Sequence, residues 1–311
     1  MNILVTGGAG YIGSVAVKEL IKAGHEVIVI DNLIKGNIKL IDPRAIFYQG
    51  DLIDLKFLEK VFSQHRFEAV LHFAGYKAAG ESMELPQKYS DNFIGTINLL
   101  NALVKYKVPK IIFSSSAAVY GEPKYTPIDE NHPLEPINYY GFTKLESERI
   151  IDWYSKLKGI VGIKLRYFNV AGDGGLNYTD PDAKNIFPII QEVISGKRDK
   201  LMIFGDDYPT SDGTCIRDYI DVNDLVRAHI LALKLERSET INLGTATGTS
   251  VKEIISLTEE TLRIKLAHLY GPRRDGDPAI LTASNEKAKK LLGWVPEKSI
   301  KDMIKSSLRT D

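Results

Sequence analysis

Thr6-Gly7-Gly8-Ala9-Gly10-Tyr11-Ile12-Gly13 decides how the rest of the chain is read. It follows a short apolar run, Ile3-Leu4-Val5, and opens a stretch with helical spacing from Ser14 to Ala23 that Gly24 stops. Glycine lets a backbone turn sharply and come close to a pyrophosphate. The N-terminus of a helix adds free N–H groups and a partial positive charge. The segment fits G-x-G-x-x-G counted from Gly8 and G-x-x-G-x-x-G counted from Gly7, so spacing alone does not choose a subfamily.

Outward from that loop, short apolar runs alternate with helical stretches. The runs are Ile3 to Thr6, Val27 to Ile30, Ile46 to Tyr48, Ala69 to Phe73, Ile111 to Phe113 and Ile163 to Tyr167. Helical patterns lie between them, from Asp54 to His65, from Gln87 to Lys107 and from Tyr140 to Lys158. Pro109 marks the end of the second. Continuous apolar strands alternating with helices predict a parallel sheet covered on both faces, in an α/β fold of the Rossmann type with a doubly wound sheet. After Asn169 the composition shifts, and Val170 to Asn185, rich in Gly, Asp, Asn and Pro, reads as a long loop. A helix over Ile186–Ser195 and a strand over Leu201–Phe204 follow, then turns from Gly205 to Gly213. A strand over Cys215–Ile220, a helix over Val222–Leu235 and a strand over Thr240–Leu243 complete the pattern. The expected division is a first domain over 1–169, with segments around 214–244 returning to it, and a smaller C-terminal α/β substrate lobe over 170–311.

Composition narrows the function. The chain of 311 residues carries 40 Lys plus Arg against 40 Asp plus Glu, so no global positive field exists to hold a nucleic acid. Its one cysteine, Cys215, can make neither an internal disulfide nor a thiolate zinc cluster, which fits a reducing, cytoplasmic setting and no bound metal. Apolar runs such as Glu26–Ile30 and Ala69–Ala74 fall far below the ~18 residues that span a bilayer, so no membrane role is expected. No basic stretch precedes the first strand, and no signal peptide is read.

Asp31 ends the second strand, 18 residues after Gly13. A carboxylate there can accept both adenosine ribose hydroxyls and repels a 2′-phosphate, which points to NAD rather than NADP. Gly50-Asp51-Leu52 follows the third strand, and Asp51 can accept from an adenine amino group. Phe73-Ala74-Gly75-Tyr76-Lys77 follows the fourth, where small residues let a cofactor lie close to the sheet.

Tyr140 and Lys144 stand four residues apart, sharing one face at the start of the helix before the sixth strand. A free tyrosine has a pKa near 10, and an ammonium beside it favours the phenolate. Lowering that pKa by ~3 units takes roughly 4 kcal/mol of differential stabilisation. Tyr139 is a competing phenol, but Tyr140 is the one with a lysine four residues on. Strand five ends in Ser114-Ser115-Ser116-Ala117-Ala118, and a hydroxyl at the C-terminal end of a parallel strand points into the cleft. Ser116 can orient a substrate hydroxyl towards the phenol, and no carboxylate follows it.

With these residues in view, the chain resembles the UDP-glucose 4-epimerases (UDP-galactose 4-epimerases) of the extended short-chain dehydrogenase/reductase superfamily. The segments that carry the resemblance are TGGAGYIG (6–13), DNL (31–33), GDL (50–52), HFAGYKAAGES (72–82) and DNFIGTINLL (91–100). Further along come FSSSAAVYGEP (113–123), YYGFTK (139–144), LRYFNVAG (165–172), IFGDDYPTSDGTCIRDYI (203–220) and GPRRDGDPA (271–279). The resemblance implies NAD as cofactor, held at Gly7, Gly10, Tyr11, Ile12, Gly13, Asp31, Asn32, Leu33, Lys35, Gly36, Asp51 and Leu52. It adds Phe73, Ala74, Gly75, Lys77, Asn92, Tyr140, Lys144 and Phe168. A UDP-sugar would meet Ser116, Tyr140, Asn169, Asn185, Met202, Phe204, Arg217, Val251, Arg274 and Asp277. Two guanidinium groups, Arg217 and Arg274, match a dianionic pyrophosphate, while Arg273 reads as a solvated charge pair.

The implied reaction is reversible C4 epimerisation of a UDP-hexose through a transient 4-keto sugar. Tyr140 serves as base, Lys144 lowers its pKa and Ser116 positions O4. The resemblance further implies a homodimer through the helices around 87–107 and 140–158. Three alternatives stand beside it: a UDP-N-acetylglucosamine 4-epimerase, a nucleotide-sugar 4,6-dehydratase, and a non-catalytic NAD-binding regulatory protein. The chain is somewhat shorter than the family's usual length, partly within Asp173–Lys184. Ile280 is the best match to the residue that gates the sugar pocket. Ala117 and Ala118 speak against the dehydratase, which needs an acid and a base beside the serine.

Overall fold

The computed structural model describes residues 1–178, 185–274 and 277–309. They fall into two compact units. The first comprises 1–121, 133–166 and 226–241; the second comprises 122–132, 167–225 and 242–311.

The first unit holds strands β1 (Asn2–Thr6), β2 (Glu26–Asp31), β3 (Ile46–Gln49), β4 (Ala69–His72), β5 (Lys110–Ser116) and β6 (Val161–Tyr167). Its helices are α1 (Tyr11–Lys22), α2 (Leu55–Gln64), α3 (Ala79–Glu84), α4 (Pro86–Lys105) and α5 (Tyr139–Lys158). Spatially the strands run β3-β2-β1-β4-β5-β6, and a seventh, Glu239–Leu243, pairs beyond β6. β1 lies parallel to β2 and β4, and the β2–β3 and β4–β5 pairs are parallel as well. This is the doubly wound order expected of a Rossmann-type sheet. Ile3, Leu4 and Val5 are wholly buried because both sheet faces are covered, so no polar alternation interrupts them. Each such side chain contributes about 1.5–3 kcal/mol of burial. Leu4, Ile28, Val70, Leu99, Leu103 and Ile111 belong to one core cluster that joins sheet to helices.

The helix expected from Ser14 begins at Tyr11, because Gly13 is buried inside its first turn rather than breaking it. The long helix expected over Gln87–Lys107 spans Pro86–Lys105, with Pro86 at its first turn, where a missing N–H costs nothing. α3 has no counterpart in the sequence reading. Six residues are too few to display a helical period.

In the second unit, Leu201–Phe204 pairs in parallel with His268–Gly271, and Ile216–Arg217 lies between Thr249–Ser250 and Ile280–Leu281. The single strand expected over Cys215–Ile220 is broken in two at Asp218; its second half, Tyr219–Asp221, pairs with Asn169–Ala171. The break has a cause: the wholly buried Asp218 carboxylate accepts from Thr245 N, Ala246 N and Ala283 N. Within 214–244, Glu239–Leu243 is in the seven-stranded sheet, whereas Ile216–Arg217 and Tyr219–Asp221 pair inside the second unit. Of the loop expected over Val170–Asn185, residues 179–184 lie outside the described residues.

Candidate functional site

The glycine loop of the first unit is shaped by close approaches. Gly7 has φ +73°, and a Cβ there would sit 2.6 Å from Ala74 N on the turn after β4. A Cβ on Gly13 would sit 2.1 Å from the Gly7 carbonyl oxygen. Side chains are therefore excluded where the loop meets the start of α1.

Beside this loop lies a groove open to solvent. It brings together Gly7, Gly10, Asp31, Asn32, Lys35, Gly36, Asp51, Leu52, Phe73, Ala74, Gly75 and Asn92, all named from sequence. Tyr11, Ile12, Gly13, Leu33, Lys77, Tyr140 and Lys144 are not in its lining, though Lys77 Nζ stands 6.0 Å from the Tyr11 ring centre. The lining also contains Ile30, His72, Asp91 and Gly95, which were not expected from sequence as cofactor contacts. Asp91 is the immediate neighbour of Asn92, and that adjacency was the available signal.

The polar groups of the groove are held in place by backbone. Asp31 is 8% exposed and accepts from Ala9 N at 3.0 Å and Leu33 N at 2.8 Å. Burial pushes its carboxyl above the usual range, and the two N–H bonds oppose that. Asp51 accepts from the Asn32 amide at 2.7 Å and from Ile53 N at 3.1 Å. Asn92 grips the backbone of Tyr76 twice, accepting from its N–H at 2.8 Å and donating to its carbonyl at 3.0 Å.

Ser116, Tyr140 and Lys144 also belong to the first unit. The Asn138 side chain caps α5 by accepting from Gly141 N at 2.8 Å. Tyr140 N donates to Ser82 Oγ on α3 at 3.0 Å, so the short helix absent from the sequence reading locates the phenol. The Ser116 hydroxyl acts on Tyr140 in the direction that favours its phenolate form. Ser116 also accepts from Ala118 N at 3.1 Å, capping the single turn Ala117–Val119. Lys144 Nζ donates to the Ser114 carbonyl at 2.8 Å and stands 5.9 Å from the Tyr140 ring centre.

The charge states depart from expectation. Burial pushes the Tyr140 phenol above its ordinary value, and the Ser116 hydroxyl is what opposes this. Lys144 was expected to lower it, but its ammonium is directed to the Ser114 carbonyl and is itself lowered by burial, to about 8. His72, between β1 and α4, bonds Thr6 Oγ1 at 2.7 Å and Thr96 Oγ1 at 3.0 Å. Burial, aided by the charge of Lys144, takes its pKa to about 3, so it is neutral.

The remaining predicted residues lie in the second unit: Phe168, Asn169, Asn185, Met202, Phe204, Arg217, Val251, Arg274 and Asp277. Arg217 Nη1 donates to the Ile216 and Pro278 carbonyls, and Nη2 stands 3.2 Å from Asp277 Oδ1 without hydrogen-bond alignment. The Arg274 guanidinium lies 3.8 Å from the ring centre of Phe204, so these two expected UDP-sugar contacts stack on one another. Arg273 is exposed and pairs with Asp207 at 2.7 Å. Asn185 Oδ1 is buried without a hydrogen-bond partner, and Asn169 Nδ2 donates to the Asp218 carbonyl at 3.3 Å.

Residues 3–244 match the model of the NAD dependent epimerase/dehydratase family. A UDP-glucose 4-epimerase of Lacticaseibacillus casei is 49% identical over 304 residues, covering 95% of this chain and 92% of the relative. A solved UDP-glucose 4-epimerase superposes with a TM-score of 0.96 at 46% identity, covering 99% of this chain and 96% of the other. A UDP-glucose-4-epimerase from Stenotrophomonas maltophila, solved with bound NAD and formylated UDP-arabinopyranose, gives 0.95 at 37% identity, covering 100% and 97%.

Proposed function

This chain belongs to the NAD dependent epimerase/dehydratase family, and from that premise we propose that it interconverts the C4 epimers UDP-glucose and UDP-galactose with NAD as its cofactor. One observation carries this assignment: Tyr140 stands in the first turn of α5 with Lys144 buried one turn on, its Nζ 5.9 Å from the phenol ring centre, in the unit that also holds Ser116, the glycine loop and Asp31. The groove fits NAD. Gly7 and Gly13 leave no room for a Cβ where a pyrophosphate would meet the start of α1, and Asp31 ends β2 with its carboxylate fixed by two backbone N–H groups.

When bound, NAD supplies a reversible two-electron acceptor for the hydrogen on C4 of the sugar. The chain's own residues do the rest. Tyr140 takes the proton of the 4-hydroxyl and later returns it. Ser116, anchored by its cap bond to Ala118 N, orients that hydroxyl. Because burial raises the phenol, a fixed positive charge is needed nearby, and Lys144 is the cation one turn away. We assign the sugar nucleotide's diphosphate to Arg217 and Arg274 and its polar oxygens to Asn169, Asn185 and Asp277; Phe168 completes the cofactor contacts. Ala117 and Ala118 form the turn after Ser116 and bring neither acid nor base to it, which disfavours the dehydratase half of the family.

Homodimerisation is part of the proposal. It is supported by exposed apolar residues on α4 and α5: Ile94, Phe142, Trp153 and Leu157, the last 65% exposed. A monomer by light scattering at micromolar concentration would end it. A cytoplasmic location goes with the single thiol, Cys215, and absence of membrane and nucleic-acid partners with the zero net charge. Among the described residues no helix is long and apolar enough to cross a membrane. The deciding assay mixes purified protein with UDP-galactose and counts UDP-glucose formed. The expected result is conversion to an equilibrium mixture with no net NADH; steady NADH accumulation refutes the assignment.

A further inference from the structure

Lys144 is an ammonium held almost wholly out of water, 6% exposed, and burial brings its pKa to about 8, close enough to neutrality to endanger its charge. Its surroundings come from two strands and its own helix. On β5, the Ser114 carbonyl accepts from Nζ and the Phe113 ring centre stands 4.9 Å from it. On β4, His72 is neutral and adds no negative charge. Along α5, Tyr140 precedes Lys144 by one turn and Glu148 follows it by one turn. The charge that opposes the effect of burial is that of Glu148.

Glu148 is 3% exposed and tied on both oxygens. Arg166 of β6 donates Nε–H to Oε1 at 2.9 Å and Nη2–H to Oε2, while Ser115 Oγ donates to Oε1. Arg166 is 4% exposed and gives its third group, Nη1, to the Tyr120 hydroxyl at 3.0 Å. Ser115 sits between Ser114, whose carbonyl holds Lys144, and Ser116, whose hydroxyl caps the turn Ala117–Val119. A buried ion pair is a poor way to gain stability, since well-packed apolar residues serve as well. Its placement therefore calls for a role other than stability.

We propose that the Glu148–Arg166 pair is a positioning device for the reaction, setting the charge behind Lys144 and, through Ser115, fixing the strand end that presents Ser116. This rests on the 4-epimerase function proposed above. Removing the charge of Glu148 leaves two cations, Arg166 and Lys144, in a dry region, and Lys144 yields its proton more readily. Removing the charge of Arg166 leaves the carboxylate unshared, and Lys144 keeps its proton longer. Tyr140 feels the same change of field, so the two groups titrate as a coupled set.

The test measures kcat for UDP-galactose conversion by the NAD-loaded enzyme from about pH 5.5 to about pH 10. E148Q, which preserves shape, is expected to move both limbs of the profile down by about one pH unit, and R166Q to move them up by a similar amount. E148D keeps the charge and is expected to restore the wild-type position. Profiles that hold the wild-type position while kcat and Tm fall together overturn the proposal, since a merely structural pair does that. Should E148Q not fold, R166Q decides alone: an upward shift supports the proposal, and no shift or a downward one overturns it. An inactive wild type would strike the 4-epimerase function itself, whereas an active wild type with unmoved variants strikes the role of this pair only.

Discussion

The groove beside β1 and β2 is built from what side chains leave out, whereas the centre around Tyr140 is built from charges buried with their partners. In the groove, Gly7 and Gly13 lack Cβ atoms that would collide with backbone, and Asp31 and Asn92 are tied to N–H and carbonyl groups. Around Tyr140, Lys144, Glu148 and Arg166 are each at most 6% exposed. The difference teaches where each region is vulnerable. Added volume should ruin the groove, and a changed charge should ruin the centre, while the converse substitutions cost less.

Four experiments can break or sharpen that contrast. Y140F removes the proton-transfer group at nearly constant volume, and kcat should fall by about 10³-fold with Tm nearly unchanged. A loss under tenfold would mean that the phenol is not the base. K144M keeps the stem of the lysine and removes its charge, so kcat should fall by roughly 10²-fold with the alkaline limb lost. An unaltered pH profile would contradict the role of the ammonium. In the groove, G13A places a Cβ against the Gly7 carbonyl oxygen, an overpacking cost of about 1–3 kcal/mol. Enzyme purified from this variant should carry less NAD, read from its absorbance ratio, while the few intact molecules turn over at the normal rate. D31N changes charge without volume, and NAD affinity should fall only about tenfold, with discrimination against NADP narrowed. A complete loss of NAD by D31N would erase the distinction drawn between the two regions.

A smaller effect reads the dry side of the sheet. His72 has its pKa depressed to about 3 from an ordinary value of 6.5. The unfolded chain therefore binds a proton through that interval while the folded one does not. Stability is fully present above about pH 6.5 and is lost as pH falls towards 3, by at most about 1.4 kcal/mol per pH unit from this group. H72Q, which can still bond Thr6 and Thr96, should flatten the acid slope in chemical denaturation across about pH 7 to 4. An unchanged slope would assign acid sensitivity to other groups.

Much of this was legible from residue order. β1 announced itself because both its faces are buried, and the glycine loop because its spacing sits between strand and helix. The pair Tyr140 and Lys144 was readable because one helix carries both. Tertiary links were not. Ser82, which accepts from Tyr140 N, lies 58 residues earlier in a helix of six residues. Ser115 and Arg166 approach Glu148 from separations of 33 and 18 residues, and no local period encodes such a meeting. The expected effect of Lys144 on Tyr140 ran against burial, a quantity that sequence spacing does not contain. Cys215–Ile220 read as one strand because its apolar pattern hides the bonds that Asp218 makes to residues 245, 246 and 283.

The seventh strand has a consequence for synthesis. Glu239–Leu243 pairs beyond β6 but begins 72 positions after Tyr167. A ribosome adding about 5–20 residues per second needs roughly 4–14 s to cover that distance. Throughout it the nascent sheet carries an open border of unpaired N–H and C=O groups along Val161–Tyr167, a template for foreign strands. Slowed translation between these segments should raise the insoluble fraction of newly made chains while leaving the purified enzyme unaltered.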